Sequence, residues 1–205
     1  MSATAGETKN LRLMALSPEH LRTLMAGVDE FERRFGARLA EGLREFFVSD
    51  AVSPDWLAQL RVATAADPWT HGFALVHRAE RVVIGTGGYK GPPDADGMVE
   101  IAYGVAPGYQ GRGYATEAAQ VLMDYAISTG RVRTVRAHTL AQVNASTRVL
   151  EKCGFKCLGE VTDPEDGVVW RWENEVEAGP SDPGGGNQPI PEGTNPISSA
   201  AAEAR

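Results

Sequence analysis

The chain has 205 residues, and its 20 Lys and Arg residues against 27 Asp and Glu residues give a formal net charge of −7. This length and an ordinary apolar content predict one folded domain, or two at most. The acidic balance excludes a protein that binds nucleic acid by general attraction to phosphates, because such binding needs a broad basic surface. An anionic ligand must therefore be bound by local groups.

The two ends of the chain differ in composition from its middle. Residues 1–10 are small and polar and lack the basic start and apolar stretch of a signal peptide, so we expect a flexible N-terminus. Residues 177–205 are rich in Gly and Pro and carry −3 of the net charge, which leaves −4 for residues 1–176. We expect a disordered acidic tail; a proline-rich docking peptide is the alternative. The folded domain is expected to span residues 11–176.

The sequence predicts no membrane span and no metal site. No window approaches the roughly 18 apolar residues of a transmembrane helix. Cys153 and Cys157 are four residues apart, which suits neither a CxxC redox pair nor a zinc site, and the four histidines lack ligand spacing. We expect two small buried thiols in a reducing compartment, and hence a cytoplasmic protein.

The first half of the chain is predicted to contain one strand, three helices and a hairpin. Apolar and polar residues alternate in the first strand, and Ser17 and Pro18 then provide a helix cap and a first turn. In chain order the elements are a strand at 11–16, two short helices within 18–47, a helix at 54–62, a loop at 67–72, and strands at 73–77 and 81–89.

The second half alternates strands with helices. In chain order the elements are a strand at 98–105, helix 114–128, strand 132–139, a helix from the Asn144 cap to Gly154, and a hairpin of strands 155–161 and 168–172. The helix at 114–128 has the clearest apolar face, and Gly130 follows it. Because a strand, helix, strand run requires a parallel crossover, the fold class is mixed α/β (α+β), with a central mixed sheet flanked by helices.

A glycine-rich segment, residues 106–116, lies between a predicted strand and the clearest helix. Free N–H groups and the positive end of the dipole make a helix start an anion site, and glycine lets a phosphate approach the main chain. The motifs GxxxxGK[ST] and GxGxxG are both absent. What remains is Q-G-R-G-Y-A, starting at Gln110, which fits the pattern Q/R-x-x-G-x-G/A. A glycine-rich turn without a ligand is the alternative.

That pattern resembles the acyl-CoA pyrophosphate loop of the GNAT superfamily of N-acetyltransferases. The sequences E-I-A-Y-G-V-A-P from Glu100 and N-A-S-T-R-V-L-E-K-C-G-F from Asn144 resemble the neighbouring strand and helix, particularly in the branch that includes the ribosomal-protein N-acetyltransferases. The resemblance is strong over residues 73–173 and faint over 11–72. It implies a GNAT-like acyl-CoA N-acyltransferase fold and acetyl-CoA as the co-substrate.

The resemblance also implies which residues bind the cofactor. These are Val105, Gln110, Gly111, Arg112, Gly113, Tyr114, Ala115, Thr116 and Asn144. The N–H groups of residues 111–115 and the Thr116 hydroxyl would hold the pyrophosphate, with the Arg112 cation near the CoA phosphates. At Val105 the strand is expected to diverge from its neighbour, leaving backbone groups for the pantetheine arm and an N–H for the thioester carbonyl.

Transfer to an amine requires a neutral nucleophile and a group that takes its proton. A lysine side chain, with a pKa of ~10.4, is almost fully protonated at neutral pH, whereas an α-amine at ~7.7–8.0 is partly neutral. Glu100, between Val99 and Ile101, is the candidate general base, acting directly or through water, and we expect apolar surroundings to raise its pKa. A solvated carboxylate or a partner for arginine is the alternative.

The group that assists the departing thiolate is less evident. Many GNAT enzymes have a tyrosine four residues before the Gly-Phe pair, but Leu150 occupies that position here. Ser146 is the candidate general acid, with ordinary helix capping as the alternative, and Tyr109 and Tyr114 are further hydroxyls. Asn144 is expected both to cap its helix and to contact the cofactor arm.

The predicted function is therefore N-acetyl transfer from acetyl-CoA to a primary amine, by direct attack in a ternary complex. The acceptor is either a protein N-terminal α-amine or a small-molecule amine. The alternatives are a non-catalytic acyl-CoA-binding sensor and an interaction module. The sequence predicts no nucleic-acid or membrane partner and leaves monomer and homodimer open.

Overall fold

The computed structural model describes residues 4–49, 52–164 and 167–175, so the predicted acidic tail lies outside the described residues. The strands are β1 (Thr4–Glu7), β2 (Leu11–Ala15), β3 (Arg38–Leu39), β4 (Phe73–His77), β5 (Val82–Tyr89), β6 (Met98–Val105), β7 (Thr134–Leu140), β8 (Lys156–Asp163) and β9 (Gly167–Glu175). The helices are α1 (Pro18–Ala26), α2 (Val28–Phe35), α3 (Leu43–Phe47), α4 (Pro54–Val62), α5 (Pro68–His71), α6 (Tyr114–Ser128) and α7 (Ala145–Lys152).

The strands form one mixed sheet in the order β1-β2-β4-β5-β6-β7-β9-β8, with the short β3 beside β5. β6 and β7 are parallel because α6 crosses between them, and β3 is parallel to β5. The other described strand pairs are antiparallel. The mixed α/β architecture predicted from the sequence is confirmed.

The two central strands β6 and β7 diverge part of the way along their length. Their parallel pairing runs from Met98 opposite Thr134 to Glu100 opposite Arg136 and then ends. β6 continues along β5 as far as Val105, while all of β7 stays paired with β9. The resulting opening, called the fork below, begins after Glu100 and thus earlier than the divergence expected at Val105.

Helix α6 packs on one face of the sheet and fixes which way the β6 side chains point. Tyr89, the last residue of β5, donates its hydroxyl to the Leu122 carbonyl of α6 at 2.7 Å, and its strand partner is Ile101. Because side chains alternate along a strand, Ile101 and Tyr103 lie on the α6 face and Glu100 lies on the opposite face.

Four local features differ from the sequence prediction. Residues 18–47 contain the three helices α1 to α3 and the short strand β3, where two helices were expected. Thr4–Glu7 forms a strand where a flexible N-terminus was expected, and Asn10 behind it donates to the Glu117 carboxylate of α6 at 2.6 Å. Pro68–His71 is a helical turn rather than loop, because the Asp67 side chain caps it by accepting from the Trp69 N–H. Cys153 is buried as expected, but Cys157 is exposed. Among the described helices, none is long and apolar enough to cross a membrane.

Candidate active site

A cleft of about 300 Å³ opens where β6, the start of α6 and helix α7 meet. Its lining residues are Tyr103, Gly104, Val105, Tyr109, Gln110, Gly111, Gly113, Tyr114, Ala115, Thr116, Ala145, Ser146, Arg148, Val149 and Lys152. Seven of the nine predicted cofactor-binding residues and the predicted acid Ser146 therefore lie together; Arg112, Asn144 and the predicted base Glu100 do not line the cleft.

The glycine loop, residues 106–113, connects β6 to α6 and turns twice through left-handed backbone. Gly111 has φ +72° and Gly113, the N-cap of α6, has φ +87°. A Cβ on either residue would meet nothing within 4 Å, so open space rather than packing surrounds this backbone. The N–H groups of Tyr114, Ala115 and Thr116 have no acceptor within the helix, and these residues line the same cleft. This arrangement suits an anionic ligand.

The two polar side chains of the loop have different roles. Gln110 donates from Nε2 to the Val105 carbonyl at 2.9 Å, which ties the loop to the end of β6. Arg112 is exposed and its guanidinium lies over the Tyr109 ring, 5.6 Å from the centroid. The expectation that Arg112 lies beside a bound phosphate therefore has no support in the cleft lining.

Helix α7 forms the second wall, and Asn144 begins it as the sequence predicted. The Asn144 side-chain oxygen accepts from the Thr147 N–H at 3.0 Å, and the Thr147 hydroxyl oxygen accepts from the Asn144 N–H. These two hydrogen bonds form a capping box. Asn144 Nδ2 is buried and has no hydrogen-bond partner among the described residues. An amide donor is thus available beside Ser146, which lines the cleft.

Two cations of the cleft, Arg148 and Lys152, were missed in the sequence analysis. They follow the Asn144 cap by four and eight residues, so they lie on one face of α7. Within the described ranges neither forms an ion pair. The helical spacing from Asn144 was the signal that could have predicted Arg148 and Lys152 as site residues. Ala145 and Val149, on the same side of the helix, also line the cleft.

Tyr103 is a third residue that was not predicted as part of the site, although it belongs to the strand motif that begins at Glu100. It lines the cleft, and its hydroxyl is buried without a hydrogen-bond partner among the described residues. Burial and the neighbouring Cys153 raise its pKa, so the phenol stays protonated. Leu150, at the position of the family's usual tyrosine, is fully packed at 1% exposure.

Glu100 lies on the other face of the sheet, in a cluster with Lys90 and His138. The Glu100 Oε1 atom is 2.9 Å from the Lys90 Nζ and 3.1 Å from the His138 Nδ1. Burial acts to raise the Glu100 pKa, but the His138 hydrogen bond and the Lys90 charge outweigh it and hold that pKa below its ordinary value. The expected raised pKa is wrong, because the His138 and Lys90 partners of the carboxylate outweigh the effect of its burial.

Comparison with known proteins gives the family and the fold. Residues 10–156 match the model of the acetyltransferase (GNAT) domain. The uncharacterized N-acetyltransferase YjdG of Bacillus subtilis (strain 168) is 34% identical over 89 residues, which cover 42% of this chain and 53% of YjdG. The uncharacterized N-acetyltransferase p20 of Bacillus licheniformis is 28% identical over 93 residues, 45% of this chain and 52% of p20. The chain thus spans about half the length of the curated relatives it matches.

Two solved structures share the fold over most of the chain. The ribosomal L7/L12 alpha-N-protein acetyltransferase RimL, in complex with coenzyme A, superposes with a TM-score of 0.58 and 16% identity over 86% of this chain and 100% of that chain. The ribosomal-protein-S5-alanine acetyltransferase from Vibrio fischeri gives a TM-score of 0.57 and 17% identity over 87% and 100%. Together with the family model, which matches more than half of the residues, these findings confirm the resemblance: the chain belongs to the GNAT acetyltransferase family.

Proposed function

We propose that this protein transfers the acetyl group of acetyl-CoA to a primary amine by direct attack in a ternary complex. The observation that carries the proposal is the glycine loop at the start of α6, where two left-handed glycines leave the backbone open to the cleft. Arg148 and Lys152 add positive charge to the same cleft. A pyrophosphate would therefore be held by backbone N–H groups and two side-chain cations.

Two buried polar groups, one in the cleft and one beside it, fit the remainder of acetyl-CoA. Asn144 Nδ2 and the Tyr103 hydroxyl are buried donors without partners among the described residues, and a pantetheine arm carries amide carbonyl acceptors. Gly104 and Val105 supply backbone beside the fork. We propose that the arm runs along this part of β6 and brings the thioester to the fork.

The proposed reaction needs no covalent enzyme intermediate. The neutral amine nitrogen attacks the thioester carbonyl carbon, the C–N bond forms, the nitrogen loses a proton to a base and the C–S bond breaks. The departing thiolate resembles a cysteine thiolate, with a pKa of ~8.5, so it needs only modest assistance. We assign that assistance to Ser146, which gives its hydroxyl proton to the departing sulfur and regains a proton from solvent, with the Tyr103 hydroxyl as a hydrogen-bond donor that stays protonated.

The proposed acceptor is an amine that is partly neutral at physiological pH. An α-amino group, at ~7.7–8.0, meets this requirement better than a lysine side chain at ~10.4. The names of two structural neighbours describe acetylation of ribosomal proteins. We therefore propose a protein N-terminal α-amine or a small-molecule amine of similar basicity, and a cytoplasmic location in keeping with the free Cys153 and Cys157.

The direct test is acetylation of paired acceptors. Purified protein with acetyl-CoA is offered peptides with a free α-amine, the same peptides with that amine already acetylated, and a panel of small amines. We expect a mass increase of one acetyl group on a free amine, with equimolar CoA release, and no reaction of the blocked peptides. CoA binding without acetylation of any amine would favour a sensor, and absence of any thermal shift with CoA would favour an interaction module.

A further inference from the structure

The face of the sheet opposite α6 carries a carboxylate–imidazole pair beside the fork. Glu100 Oε1 and His138 Nδ1 are 3.1 Å apart, and the His138 side chain is only 8% exposed. The second ring nitrogen, Nε2, is buried and has no hydrogen-bond partner among the described residues. Buried polar atoms in folded proteins are nearly always paired, so an unpaired imidazole nitrogen points to a ligand or a reaction.

The topology places this pair at the fork, where the gap between β6 and β7 connects the two faces of the sheet. Glu100 is the last β6 residue paired with β7, and its partner is Arg136. His138 follows Arg136 by two residues, so it shares the Glu100 face and stands on β7 just beyond the end of the pairing. The fork therefore separates the cleft on the α6 face from the imidazole on the other face. A thioester at the fork would present its carbonyl to an amine arriving from the His138 side.

We propose that His138 Nε2 accepts the proton from the acceptor nitrogen, and that Glu100 is a positioning residue that holds the imidazole with its N–H at Nδ1. This inference rests on the proposed acetyl transfer. A carboxylate bonded to one imidazole nitrogen fixes the tautomer and leaves the lone pair on the other, which is the arrangement required of a general base. It explains why Glu100 is bonded to the Lys90 ammonium and the His138 ring rather than left free to accept a proton itself.

The proton and the electrons balance without a further reactant. The amine lone pair forms the C–N bond, the N–H proton moves to His138 Nε2, and the C–S electrons leave with the thiolate. The imidazolium that forms lies against the ionised Glu100. The charged groups near the pair on this face include Lys90, bonded to Glu100, the Arg136–Glu173 pair, Arg171, the strand partner of His138, and Lys156, the strand partner of Glu173. The proton then passes to solvent as the product leaves.

The sharpest test compares His138→Asn with His138→Ala and Glu100→Gln. The asparagine side chain places an N–H donor near the Nδ1 position, so it keeps the bond to Glu100 while removing Nε2. A general base contributes about 10²- to 10⁴-fold, so we expect kcat to fall by that factor in both His138 variants, with CoA affinity unchanged. Added imidazole should restore part of the activity of His138→Ala. Glu100→Gln should lose less, because the imidazole remains.

The pH profile separates a base from a structural histidine. The same amine acceptor is used for every variant, so the ionisation of the acceptor contributes the same limb to each pH profile of kcat/KM. We expect the additional acidic limb of the wild-type profile to vanish in His138→Asn. Thermal shifts with CoA verify that each variant is folded. If the wild type is active and His138→Asn keeps full activity with an unchanged pH profile, the role of His138 is refuted and the proposed acetyl transfer is not. A wild-type protein that acetylates no amine would instead overturn the proposed function.

Discussion

Replacing Gly113 by alanine tests the glycine loop, because the structure separates the two effects of the added methyl group. Gly113 has φ +87°, and a Cβ there would meet nothing within 4 Å. Its structural cost is therefore backbone strain alone, about 1–2 kcal/mol for an L-residue in the left-handed region. For a domain of this size that corresponds to a melting temperature lower by about 2–8 °C.

The methyl group of Gly113→Ala would also project into the space through which a phosphate approaches the helix start. A hydrogen bond to a charged group contributes about 1.5–3 kcal/mol, so displacing the phosphate from one backbone N–H should weaken CoA binding by roughly 10- to 100-fold. Isothermal titration with CoA measures this loss, and thermal unfolding without ligand measures the strain.

Gly130→Ala is the matched control because it imposes the same strain at the other end of α6. Gly130 has φ +68°, and a Cβ there also meets nothing within 4 Å. The helix between the two glycines has 15 residues, about 22 Å at 1.5 Å per residue, so position 130 is remote from the cleft. We expect similar destabilisation in both variants and normal CoA affinity only in Gly130→Ala. Equal CoA affinity in the two would refute the phosphate-binding role of the loop.

Four further variants test the α7 cap, the Glu100 carboxylate and the two thiols. Asn144→Ala removes the α7 cap and should lower the free energy of unfolding by about 1 kcal/mol, whereas Asn144→Asp keeps the cap oxygen and replaces the buried Nδ2 donor by a carboxylate oxygen. We expect Asn144→Asp to melt like the wild type but bind CoA more weakly in titrations; wild-type affinity would exclude the cofactor contact. Because the Glu100 pKa is lowered in the folded protein, its carboxylate stabilises the fold above the unfolded pKa of about 4.3, and this contribution is lost as pH falls below that value. The melting temperature of Glu100→Gln should therefore fall less steeply than that of the wild type between about pH 6 and pH 3. An equal pH dependence in the two proteins would contradict the lowered pKa of Glu100. A disulfide reagent at neutral pH should modify the exposed Cys157 rapidly and Cys153 slowly, since burial raises the Cys153 pKa, and Cys157→Ser should remove the fast phase; its persistence would place the reactive thiol at Cys153.

The strands and the long helix of this fold were predictable because their apolar periodicity is set by the chain itself. Helix α6 was predicted over residues 114–128 and forms at Tyr114–Ser128. The strand β1 was missed because its four small and polar residues show no apolar alternation. The hydrogen bond that holds Asn10 behind it is to Glu117, 107 positions away in the sequence, and no local pattern reveals it. The turn α5 is too short to show a helical period, so its local signals were the Asp67 cap and Pro68 at the first helical position.

The candidate site divides in the same way between local motif and tertiary assembly. The loop glycines, Ser146 and Asn144 were predicted as site residues because their neighbours in sequence carry the family pattern. The partners of Glu100 were not, because Lys90 reaches it from the end of β5 and His138 from β7, 38 positions along the chain. Its two adjacent residues, which suggested apolar surroundings, point to the other face.

The fork itself follows from how the two central strands are shared with their outer neighbours. Over its whole length, from Thr134 to Leu140, β7 is paired with β9, and β6 stays with β5 up to Val105. β7 therefore keeps one complete ladder, and β6 is paired with β5 from Ile101 to Val105, while the ladder between β6 and β7 stops at Glu100 and Arg136. Only the inner edges lose backbone partners, and such groups must then bond to something else. A ligand arm between the strands would supply those bonds, which joins the cleft on one face to His138 on the other.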